Sequence, residues 1–165
     1  DPNIRLPLWS SAEACQETVR EFLPDADLVK LSDEKCFFVT GKHSILDAAD
    51  WLFEQGCKMV LYSMGKEGAM ILTPHFSSHV ENPEVRVKDT TGAGDAIIGA
   101  YLYCLAKNHI TVSQLADCLP EQVQEWLTFA VYYANYSITK SGAIASYPDY
   151  TTFVKWMQEK RKKAH

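Results

Sequence analysis

The 165-residue sequence has no apolar run as long as a membrane span, no signal-peptide pattern at its start and no C-x-x-C pair. It also has no internal repeat and no low-complexity tract, which excludes solenoid and disordered-tract architectures. Basic residues are outnumbered, 16 Lys and Arg against 21 Asp and Glu, giving a formal net charge of -5. Lys160-Arg161-Lys162-Lys163 is the one basic run, and at a chain end it reads as a solvated helix terminus. Phosphate-backbone binding needs clustered cations, so neither nucleic acid nor a membrane is expected as a partner. The five cysteines are odd in number and mostly sit among apolar residues, which points to reduced thiols and a cytoplasmic setting. Both of the commonest phosphate loops, G-x-x-x-x-G-K-[ST] and G-x-G-x-x-G, are absent.

What is present reads as strands alternating with helices. Ser10-x-x-Glu13 is a capping-box pattern opening an amphipathic run that Pro24 stops. Ala26 to Leu31 reads as a short buried strand. Ser44-x-x-Asp47 caps a second helix that Gly56 ends. Met59 to Met64 is a buried strand, with Ala69 to Thr73 its hairpin partner across Gly65-Lys66-Glu67-Gly68. Val85 and Val87 alternate with basic residues as in a half-exposed strand. Helices are expected over Ala96 to Ala106, from about Glu121 to Thr139, and from about Asp149 into the basic tail. This order implies an α/β fold, one domain, with a largely parallel sheet flanked by helices. Ligands bind such sheets beyond the carboxyl ends of the strands, where Asp1-Pro2-Asn3, Ser32, Ser63-Met64-Gly65 and Asp89 to Asp95 fall.

Thr91 to Asp95 joins a strand to an apolar helix. Glycines there let backbone N–H groups face outward, and the helix N-terminus adds partial positive charge. That combination is an anion hole. Asp95 would repel a phosphate, so its place beside the hole is better explained as the base that deprotonates an attacking hydroxyl. Taken alone, Gly92-Ala93-Gly94-Asp95 also reads as a plain helix-capping turn.

The whole run Asp89-Thr90-Thr91-Gly92-Ala93-Gly94-Asp95 resembles the signature of the ribokinase-like (PfkB) carbohydrate kinases, and the chain looks closest to their fructokinase branch. Asp1-Pro2-Asn3-Ile4-Arg5-Leu6-Pro7-Leu8-Trp9, Ser63-Met64-Gly65-Lys66-Glu67-Gly68, and Ala134-Asn135 followed by Lys140 to Ala143 resemble further stretches of that family in the same order. The match covers essentially the whole chain but only the C-terminal half of the family's fold. Together with the absence of an opening methionine, it makes the N-terminus read as a cut.

The resemblance implies an ATP-dependent sugar kinase in which Asp95 is the base and also faces the sugar, and the N–H groups of Gly92, Ala93 and Gly94 hold phosphate. It places Asn3, Ser63, Gly65 and Gly68 at the nucleotide phosphates, Asn135 beside the adenine, and Arg5 near the transferred phosphate or the substrate. Asp89 and Thr91 match a potassium site completed by Ser146 and carbonyls near Gly142. Magnesium is implied as a cofactor and a homodimer as the assembly of the intact protein. The sugar is fructose or, in a neighbouring branch, 2-keto-3-deoxygluconate. One departure stands out. The family's magnesium-organising N-x-x-E or S-x-x-E motif reads Ser32-Asp33-Glu34-Lys35 here, so Asp33 or Glu34 would have to substitute, or Lys35 supplies charge to the phosphates directly. Without that match these four residues are a polar loop or a helix start. A non-catalytic nucleotide-binding relative is the reading from a different class, and the chain alone is expected to phosphorylate nothing.

Other features are given no role. His75 and His79, four apart, read as part of a surface loop, and His43 and His109 as isolated exposed residues. Tyr132, Tyr133 and Tyr136, with Trp51, Trp126 and Trp156, read as packing.

Overall fold

In the computed structural model, which describes residues 1–163, four strands form one sheet in sequence order. They are β1 (Leu28–Ser32), β2 (Met59–Ser63), β3 (Ala69–Leu72) and β4 (Ser77–Val80). The six helices are α1 (Ala12–Phe22), α2 (Asp33–Thr40), α3 (Ile45–Glu54), α4 (Ala93–Lys107), α5 (Pro120–Ser137) and α6 (Tyr150–Lys163). No described helix is long and apolar enough to cross a membrane.

The helix-flanked α/β layering matches the sequence expectation, but the sheet is mixed. Only β1 and β2 pair in parallel, while β2–β3 and β3–β4 are antiparallel. The Gly65–Gly68 hairpin forces the first reversal. The second comes from β4, which alternation in Ser77-Ser78-His79-Val80 (Ser78 and Val80 inward) could have revealed. The expected loop at His79 is therefore a strand, whereas the expected strand at Val85 and Val87 is irregular and leaves Val87 exposed.

Period-two side-chain placement splits β2 and β3 between two cores. Met59, Leu61, Ala69 and Ile71 face α4 and α5; Val60, Tyr62 and Leu72 join Val29 and Leu31 against α1, α2 and α3. A third cluster docks α6 on α5 through Tyr132, Tyr136, Phe153 and Met157, which makes two of those tyrosines packing residues as read from the sequence. The α1 cap is Ser11, whose hydroxyl accepts from the Ala14 N–H, so the capping pattern lies one residue later than Ser10. Ser44 caps α3 as expected. Of the two readings open for Ser32 to Lys35, a polar loop or a helix start, the second holds, and the helix runs on through Phe37, Phe38, Val39 and Thr40 although these are weak helix formers. Gly41 closes it in the left-handed region at φ 73°.

One edge gathers the chain's turns. Ser32 and Ser63 are register partners at the carboxyl ends of the parallel strands, Ser63 opposes Ala69, and Ala69 opposes Val80. The turns after β1, β2 and β4 therefore emerge together.

Candidate active site

Lys30 is the side chain that connects the sheet to the Gly-rich turn. It stands on β1 on the face toward α4, is only 4% exposed, and its Nζ lies 3.1 Å from Asp1 Oδ2. That ammonium comes so close to the first turn of α4 that a Cβ on Gly94 would stand 2.8 Å from it. Lys35, in the first turns of α2, donates to the other Asp1 oxygen at 2.6 Å. Burial, then repulsion from Lys35, lowers Lys30 to about 8, with Asp95 partly opposing. Lys35 is also lowered by burial and held up by Asp95. Asp95, exposed in the first turn of α4, is thus electrostatically coupled to both lysines.

Gly92 sits at φ 79° as the N-cap of α4. The Ala93 N–H, expected to face an anion, turns back to the Thr90 carbonyl at 3.1 Å, whereas the Gly94 N–H has no backbone acceptor among the described residues. A side chain on Gly92 would collide with Tyr147, whose hydroxyl donates to the Gly92 carbonyl at 2.9 Å. Asp95, Tyr147, Tyr133, Phe129 and Tyr103 line a cavity of about 300 Å³ beside the turn. Tyr133, expected only to pack, therefore also borders the site.

Asp89 ties the turn to the loop before α6. One of its oxygens accepts from the Thr91 N–H and hydroxyl, the other from the Gly142 N–H at 2.9 Å. These donors, Gly142 foremost, hold its carboxyl down at about 2. Ser146 is buried in the same loop and donates to the Ala143 carbonyl. The residues expected at a potassium site thus share one loop–turn junction, with an ionised carboxylate in it.

The residues expected on the nucleotide side are joined by one that the sequence reading missed. Asn82 Nδ2 donates to the Gly65 carbonyl at 2.8 Å, and its Oδ1 accepts from the buried Asn135 at 2.8 Å. It follows β4, so missing that strand concealed it. Gly68 has a structural cause: at φ 100° its Cβ would lie 2.0 Å from the Val80 carbonyl oxygen. The Ser63 hydroxyl donates to the Leu31 carbonyl between the parallel strands. Asn3 and Arg5 are exposed on either side of Ile4, which packs against the α1–α3 core.

The donors at the Ser32–Lys35 edge do not fit a protein-held magnesium. Asp33 accepts from the Tyr62 hydroxyl, whose ring packs in the opposite core, Asp1 has an ammonium on each oxygen, and Glu34, the other expected substitute, is exposed on α2. Among the described residues no three His, Cys, Asp or Glu side chains are grouped to hold a metal. His75 and His79 accordingly part: His79 bonds the Glu67 carbonyl and His75 lies 3.9 Å from Asp117.

Comparison with known proteins gives a consistent result. Residues 1–150 match the pfkB family carbohydrate kinase description. Fructokinase-2 of Solanum habrochaites is 34% identical over 149 residues, covering 90% of this chain and 44% of that protein. A Vibrio cholerae O395 fructokinase, solved with fructose, ADP and potassium ion, superposes with a TM-score of 0.81 at 29% identity over 95% of this chain and 49% of the other. A Xylella fastidiosa fructokinase with bound ATP gives 0.86 at 25% identity, again over 95% of this chain and 50% of that one. The chain spans about half the length of the proteins it matches.

Proposed function

The chain belongs to the pfkB family of carbohydrate kinases, and from that premise we propose that it is the nucleotide-binding and phosphoryl-transfer part of an ATP-dependent fructokinase. The observation that carries this reading is the placing of Asp95 one residue after the Gly92–Gly94 amides, at the N-terminus of α4 and under the influence of two lysines.

The terminal phosphate of ATP lies against the amides at the start of α4, those of Gly92 and Gly94 foremost because the Ala93 N–H is shared with the Thr90 carbonyl, where helix polarity favours anions. A sugar hydroxyl faces Asp95, which takes its proton as the oxygen attacks phosphorus. Charge spreading over the transferring oxygens is met by fixed N–H donors rather than by reorganising water. The Gly65–Gly68 turn, Ser63 and Asn3 border the nucleotide phosphates, Asn135 the adenine, and Arg5 the substrate. Asp89, Thr91, Ser146 and carbonyls near Gly142 would hold a potassium ion, which adds positive charge beside the anion hole and fixes the turn to the loop before α6. The relatives' fructokinase names and the fructose-bound Vibrio structure favour fructose as acceptor. Five free, buried thiols support a reducing, cytoplasmic setting, and a homodimer is retained as the assembly.

The test is a panel of ketohexoses, aldohexoses and 2-keto-3-deoxygluconate with ATP, run on the protein that carries this chain. ADP formation dependent on fructose is expected. ADP formation only with another sugar would reassign the acceptor, and ATP binding with no acceptor used would end the kinase reading.

A further inference from the structure

We propose that Lys30 and Lys35, aligned by Asp1, form a cationic clamp that binds the terminal phosphate of the nucleotide directly, in place of a divalent cation held by this edge of the protein.

The placing of the two ammonium groups supports this. Lys30 is almost fully buried, and its charged end reaches the first turn of α4, against Gly94. Burying a lysine here is costly and needs a compensating anion. The fold supplies one carboxylate, Asp1, and shares it with Lys35. Two cations on one carboxylate leave a positive charge unmatched except by Asp95, which feels both lysines. That positive excess grows when Asp95 takes a proton, beside the amides of α4, as charge moves onto the transferring group. At the Ser32–Lys35 edge Asp33 is committed to Tyr62 and Asp1 to the lysines, which leaves exposed Glu34 alone, with no group of three acidic, His or Cys side chains among the described residues to gather a metal.

The clamp rests on the nucleotide reading above, but its own chemistry is that of a polyphosphate chain. Equilibrium binding of ATP and of inorganic tripolyphosphate to the chain, each with EDTA and with excess magnesium, separates the two. Both ligands should bind in EDTA, and Lys35→Ala should weaken both roughly ten- to a hundredfold, the range for a lost hydrogen bond to a charged group. Lys35→Glu should make binding depend on magnesium. Lys35 is partly exposed, so these changes leave the core intact, and a cooperative thermal transition checks it. Tripolyphosphate binding that depends on Lys35, with no preference for ATP, would retain the clamp and refute the nucleotide reading. ATP binding that needs magnesium and ignores Lys35 would overturn the clamp and leave that reading standing. If neither ligand binds a cooperatively folded chain, both fall.

Discussion

Lys30 and Gly94 meet at the start of α4, with the lysine Nζ 2.8 Å from the point that a Cβ on residue 94 would occupy. The obstacle is the end of a flexible side chain, and Gly94 has ordinary helical geometry. Gly94→Ala should therefore gain roughly 0.5–1 kcal/mol of helix preference while displacing the ammonium. The expected result is an unchanged or slightly raised melting temperature with roughly tenfold weaker ATP binding, as expected for loss of one charge-assisted bond. Gly99→Ala, in the same helix with nothing within 4 Å of its Cβ, is the control and should leave binding alone. Equal ATP affinity in both variants would contradict the placing of Lys30 at the phosphate.

Asp95→Asn separates binding from chemistry. A neutral amide cannot take the proton, so turnover in the protein that carries this chain should fall by roughly 10²–10⁴. Removing a negative charge that both lysines feel should leave ATP affinity unchanged or higher. A parallel loss of binding and turnover would mean that Asp95 shapes the turn instead.

The glycine turn that opens α4 was legible in the sequence because glycine spacing and a following apolar helix are local signals. The Asp89–Thr91 turn and the Ser63–Gly68 hairpin were legible for the same reason. Lys30 was illegible: within Leu28-Val29-Lys30-Leu31 it reads as an interruption in a buried strand, and only the sheet's pairing shows that it faces α4. Asn82 was hidden because its role depends on β4 ending beside the Gly65 turn, a contact 17 residues apart in sequence. Lys35 was visible as a departure, but its partner Asp1 lies 34 residues away. Long-range pairing, which no window of sequence contains, decided each of these.

The depressed Lys30 ammonium makes a pH prediction. Folded, it gives up its proton near 8 because burial and Lys35 disfavour the charge against the pull of Asp95 and Asp1; unfolded, it keeps that proton to about 10.4. Between those values the unfolded chain binds more protons, so this group's contribution to stability rises with pH across the window. Anion binding must move the other way, since it needs the ammonium. ATP affinity measured from about pH 6.5 to 9.5 should fall with a midpoint near 8, and Lys30→Met should bind weakly with no such fall. A midpoint preserved in Lys30→Met would show that Lys30 is not the group whose titration governs binding.

Gly68→Ala tests a purely structural claim. The new Cβ would meet the Val80 carbonyl 2.0 Å away at a φ of 100°, and neither obstacle is a movable side chain. Strain of this kind costs roughly 1–3 kcal/mol, so the melting temperature should drop by several degrees. Gly65→Ala, with open space around its Cβ and only the positive φ of 54° against it, should cost less. The order of the two, read by thermal unfolding, is the check.

Asn82→Ala cuts the link between the Gly65 turn and Asn135. Both bonds are about 2.8 Å, and losing them leaves the buried Asn135 amide with the Val131 carbonyl as its remaining partner. The loss should destabilise the chain by roughly 1–3 kcal/mol, the cost of unmade hydrogen bonds near a buried amide. It should also weaken ATP, because the turn and α5 border opposite ends of the nucleotide in the proposed complex. Tripolyphosphate borders the Gly65–Gly68 turn as well but has no adenine for Asn135 to meet, so its affinity should fall less. An unequal loss of this kind distinguishes a positioning role for Asn82 from general loosening of the fold, which would reduce both affinities alike.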